Sequence, residues 1–73
     1  MKKKYLQIFV NTVDKDTYTL DQLYDEYKFF CEQNVIPKNT KTLFRQYLEF
    51  LDSDHVKIHY EDNLIKIKSI TII

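Results

Sequence analysis

A few side chains in this 73-residue chain have the chemistry of a catalytic or metal site, and their spacing decides what each can do. His55 and His59 stand four apart. On a helix that spacing would aim both imidazoles at one metal ion, but the residues around them alternate as in a strand, whose rise separates the pair by roughly 13 Å. Cys31, the single cysteine, falls on the apolar stripe of a helix, so it reads as a small core hydrophobe and not as a nucleophile or ligand. Asp52 with Asp54, and Glu61 with Asp62, are close carboxylate pairs, yet both lie at expected turns, where acidic residues serve the backbone. The chain has no glycine, and therefore no glycine loop to cradle a nucleotide phosphate. We expect no catalysis, no metal, no cofactor and no small-molecule substrate.

The residues that remain are suited to binding. Lys41, Thr42, Arg45 and Gln46 share the polar side of a helix, and they are the residue types that contact phosphates and base edges. Lys57, Lys66 and Lys68 fall on alternate positions of two strands, which gives a hairpin one basic side suited to a phosphate backbone. The competing reading of the first set is a solvated helix face, and of the second a device that protects an edge strand from aggregation.

The elements that carry these residues follow from periodicity. Leu6, Phe9, Val10 and Val13 recur at three and four, which predicts an amphipathic helix over about Lys3 to Val13. The polar run Asp14 to Thr17 breaks it. Thr19 followed by Gln22 is a capping box, so a second helix starts at Leu20 with the stripe Leu20, Leu23, Tyr24, Tyr27, Phe30 and Cys31. Phe29 falls off that stripe, which marks it as an exposed contact for a partner protein. Pro37 ends the helix near Asn34 and leaves a turn to Lys38. Asn39 or Thr40 caps a third helix with the stripe Leu43, Phe44, Tyr47, Leu48 and Leu51. Beyond Asp54 the period becomes two: His55 to Tyr60 and Leu64 to Lys68 read as a hairpin turning at Glu61-Asp62-Asn63. Val56, Ile58, Ile65 and Ile67 should then face the core and Lys57, His59, Lys66 and Lys68 the other side, with the Ile70 to Ile73 tail extending the last strand or packing on the helices. Leu23, Tyr27, Phe30, Phe44, Leu48 and Ile67 are the expected buried set.

The order is helix, helix, helix, hairpin: an α+β winged helix, with a three-helix helix-turn-helix core plus a C-terminal β-hairpin wing. Residues 1–73 suit one domain, since at this length folding buries only roughly 60% of the unfolded surface. Hydrophobic residues make up 44% and aromatic ones 15%, which excludes a disordered chain. Eleven basic and eleven acidic residues cancel, so any attraction for nucleic acid must come from local segregation of charge. Gln7, Asn11 and Asp14 interrupt the segment after the basic start, and no apolar run approaches the roughly 20 residues of a membrane span, so neither export nor membrane insertion is expected. The lone cysteine fits an intracellular, reducing compartment.

From Leu20 onward the chain resembles the C-terminal domain of the primase-helicases of phages, plasmids and large DNA viruses (helicase superfamily 3). The resemblance rests on Leu23-Tyr24, Tyr27, Phe30-Cys31, then the polar helix of Asn39 to Leu48 with Phe44 and Leu48 four apart, then the basic hairpin. It covers about two thirds of the chain. It implies a non-catalytic winged-helix module that binds DNA, duplex or single-stranded, during replication of a virus or mobile element inside its host cell, appended or accessory to an ATPase whose motifs have no counterpart here. The alternative is a winged helix that docks on a protein partner of replication or transcription.

Overall fold

Thr19 and Gln22 form the capping box that their spacing calls for: the Gln22 amide donates to Thr19 Oγ1 at 3.1 Å and the Thr19 amide to Gln22 Oε1 at 3.0 Å. The helix they open is the second of three in a computed structural model that describes residues 3–51, 55–61 and 66–73. In chain order the elements are α1 (Lys3–Thr12), β1 (Thr17–Tyr18), α2 (Leu20–Asn34), α3 (Lys41–Phe50), β2 (Val56–Glu61) and β3 (Lys66–Ile72). The result is a small α+β fold with three helices and a three-stranded antiparallel sheet in the order β1-β3-β2. No helix among the described residues is long and apolar enough to cross a membrane.

Each helix ends where a local backbone cause acts. Ahead of Pro37, α2 closes through Val35, which adopts the left-handed conformation (φ 54°, ψ 47°), while the amides of Val35 and Ile36 donate to Glu32 O and Cys31 O. This is the pairing that usually recruits glycine. In a glycine-free chain a β-branched residue takes its place, 91% exposed. Of the two candidate caps for α3, Thr40 is the one used, its hydroxyl accepting from the Leu43 amide at 3.3 Å.

The buried side chains form one cluster: Leu6, Phe9 and Val10 from α1, Leu23, Tyr27 and Cys31 from α2, Phe44 and Leu48 from α3, and Val56, Ile67, Ile70 and Ile72 from the sheet. At its centre Phe9, Tyr24, Tyr27, Phe30 and Phe44 are in ring contact, with the closest centroids, Tyr27 and Phe44, 4.7 Å apart. The expected buried set holds except at Phe30. That ring touches Phe9 but is only partly buried, because it lies at the margin between α1 and α2. Leu43 also departs from its expected stripe: it is 39% exposed, since on a helix it is displaced about 100° from its buried neighbour Phe44.

Two features of the sheet differ from the expectation. The polar run after α1 is not merely a break, because Thr17 and Tyr18 pair with Thr71 and Ile70 and make β3 the central strand. The loop before them is fixed by backbone and side-chain bonds: Thr17 N to Asp16 Oδ1 at 2.7 Å, Ile72 N to Asp16 O at 2.9 Å, and Tyr18 Oη to Asp14 O at 2.6 Å. The second difference is a register shift. His59 pairs with Ser69 but Tyr60 pairs with Ile67, so Lys68 is the extra residue of a β-bulge. The alternation therefore changes phase at Lys68, and Ile70 and Ile72 are buried beside Ile67. Ile70 to Ile72 do extend the last strand, as expected of the tail. The expected turn at Asp62-Asn63, with Leu64 and Ile65, lies outside the described residues.

Candidate nucleic-acid interface

The position of α3 depends on two tyrosines of α2. Tyr27 Oη accepts the Asn39 amide at 3.1 Å, and Tyr24 Oη donates to the Asn39 carbonyl at 2.6 Å, so both polar groups of one backbone residue are held one step before the Thr40 cap. Periodicity marked these tyrosines only as core. Burial pushes the Tyr27 hydroxyl up to about 12; its hydrogen bond with Cys31 adds to the rise and the bond from Asn39 opposes it.

Along α3, the exposed Lys41 and the part-buried Arg45 line the side toward the sheet, whereas Thr42 and Gln46 are exposed away from that groove. Lys41 is ion-paired with Asp21 at the start of α2. Arg45 Nε lies 3.4 Å from Glu49 Oε1, and the other oxygen of that carboxylate accepts from Tyr60 Oη of β2 at 3.0 Å. Glu49 thus ties the helix to the hairpin.

Lys41 and Arg45 line the same groove as Lys66 and Lys68 of β3, a space of about 350 Å³ between the start of α2, α3 and the hairpin. Thr19, the N-cap of α2, lies in its wall, so the positive end of that helix dipole also faces the groove. Two carboxylates, Asp21 and Glu61, share the lining with these four cations; Glu61 lies 3.9 Å from Lys66. Lys68 has no ion pair among the described residues.

Lys57, His59, Lys66 and Lys68 are all exposed, as expected of the hairpin's outer side, but not all of them reach the groove. Lys57 is opposite Thr71 in the sheet and does not line the groove. Its side of the sheet carries His59, whose Nε2 lies 3.3 Å from Thr71 Oγ1, itself 3.1 Å from Thr17 Oγ1. Lys66 and Lys68 lie at the end of the hairpin that meets α3, whereas Lys57, four residues before Glu61 along β2, lies among hydroxyls. Asp21 and Glu61 were not foreseen as part of the site; Glu61 was placed in the turn, and it ends β2 instead.

Cys31 is a free, buried thiol packed in the core. Among the described residues no group of three His, Cys, Asp or Glu side chains is placed to hold a metal ion. Asp52, Asp54 and Asp62 lie outside those residues. Compared with known proteins, the chain matches no family model, no curated protein and no solved structure.

Proposed function

We propose that the chain is a winged-helix domain that binds DNA without catalysing a reaction, with α3 as the recognition helix and the β2–β3 hairpin as the wing. One observation carries the reading: in a chain of zero net charge, Lys41, Arg45, Lys66 and Lys68 from two separate elements converge on one open groove whose lining has two carboxylates among the described residues, with Glu49 beside Arg45. Segregation of this kind creates a local positive potential without net charge, and a phosphate backbone is the ligand that exploits it. The groove positions the backbone, while Thr42 and Gln46 on the exposed side of α3 are free to meet base edges and supply whatever sequence preference exists. A role in replication of a virus or mobile element rests on the resemblance of the residues from Leu20 onward.

The test is a salt titration of binding to labelled duplex and single-stranded DNA, with the unmodified chain and with Lys41, Lys66 and Lys68 replaced together by Ala. The unmodified chain should bind with a logarithmic salt slope, and the triple variant should bind every sequence more weakly with a slope flattened by up to about three phosphate contacts. Gln46→Ala should cost about 1 to 3 kcal/mol, mainly on a preferred site. Absence of any salt-dependent affinity in dilute buffer would end the proposal.

A further inference from the structure

A second groove lies at the other end of α2. It holds about 190 Å³ between α1 and the C-terminal half of α2, and its apolar lining is Phe9, Val13, Phe29 and Phe30. Phe29 is 59% exposed, is not among the ring contacts of the described residues, and presents its ring at the mouth of this groove.

The charge around this groove is one-sided. Glu26 is its only charged lining residue and has no ion pair among the described residues. Asp14 and Asp16 follow α1 in the adjoining loop. Tyr18, which lies near all three carboxylates, has its hydroxyl held above its ordinary value by burial first and then by Asp14, Asp16 and Glu26. Two helix ends add to this. Thr12 of the last turn of α1 and Gln33 and Asn34 of the last turn of α2 line the groove, and neither turn contains a basic residue. The negative ends of both helix dipoles are therefore uncompensated by a side-chain cation at this place. Lys15 sits between Asp14 and Asp16, and Lys28 is bound to Asp25 at 3.1 Å, so neither reverses the sign.

We infer that this groove docks an amphipathic helix of another protein, one that inserts a large apolar side chain beside Phe29 and flanks it with lysine or arginine. The space between two packed helices accepts a third helix better than a strand, because its walls offer no row of unpaired backbone groups. Gln33 offers an exposed amide to the partner's backbone or polar rim. From Asp21 to Gln33 the two grooves are roughly 18 Å apart along α2, so both can be occupied at once and the second does not depend on the first.

The experiment is selection of random 16-residue peptides on the whole chain, with counter-selection on a Phe29→Ser chain whose fold is checked by circular dichroism. Enriched peptides should carry apolar residues at helical spacing flanked by Lys or Arg. They should shift the amide resonances of Thr12, Glu26, Phe29 and Gln33, and lose at least tenfold in affinity on Phe29→Ser. A chain with Glu26→Lys should turn selection toward acidic flanks. The inference is overturned if nothing enriches, if acidic peptides enrich on the unmodified chain, or if the shifts fall at Lys41 and Lys68 instead. It is also overturned if these resonances move on simple concentration of the chain, which would make the occupant a second copy. Because Phe29→Ser leaves the basic groove intact, its DNA affinity separates failure here from failure of the DNA reading.

Discussion

Tyr27 is fully buried, yet its hydroxyl is in use, accepting the amide of Asn39. Tyr27→Phe keeps the ring and strands that amide, a change that should cost about 1 to 3 kcal/mol in urea unfolding. The same hydroxyl makes stability depend on alkaline pH. Its folded pKa of about 12 lies above the ordinary value of 10.0, so the neutral phenol is favoured by folding. The contribution is complete below pH 10 and is lost as pH rises from 10 through 12. Urea midpoints measured across that window should fall, and fall less in Tyr27→Phe. Val35 is a second residue whose surroundings fix the outcome. With φ at 54° its β-branched side chain strains the end of α2, and Val35→Gly should raise stability by about 0.5 to 1 kcal/mol, read as a higher melting temperature.

At the scale of elements, position along the hairpin predicts unequal lysines. Lys68→Ala should weaken DNA binding more than Lys57→Ala, because only Lys68 reaches the groove shared with α3; equal losses, measured by fluorescence anisotropy at one salt concentration, would mean that the flat hairpin face is the binding surface. The three helices were legible because their causes are local: the capping box at Thr19, the stop before Pro37 and stripes at three and four act within one or two turns. The hairpin was legible from its period of two. The two-residue β1 was not, since Thr17 and Tyr18 become a strand only by pairing with residues more than fifty positions away. Nor was the bulge, because Lys66 and Lys68 continue a perfect alternation and only the need to bury both Ile67 and Ile70 interrupts it. Of the candidate site, the residue types on α3 were readable; the division of the lysines and the carboxylates Asp21 and Glu61 were not, because they depend on how three elements meet.

For the molecule as a whole, the neutral total conceals a separation of charge. Four cations gather where α2 begins, and Glu26 with two helix C-termini faces the groove where α2 ends. The sheet holds these ends in place through its central strand, whose Ile70 is fully buried between β1 and β2. Ile70→Ala should therefore cost about 2 to 5 kcal/mol in urea unfolding and lower affinity for DNA only through the loss of folded protein. A variant that stays stable but no longer binds would show that β3 does more than support the grooves.

The central place of β3 also bears on the order in which the chain leaves the ribosome. All three helices emerge before it, and a nascent chain that ends at Glu61 has the aromatic cluster of Phe9, Tyr27 and Phe44 but neither Ile67, Ile70 nor Ile72 to close it, and no strand to which β1 or β2 can pair. Until Ile67, Ile70 and Ile72 are free of the exit tunnel, the helices have an open apolar side, and the segments of β1 and β2 become strands only when β3 enters between them.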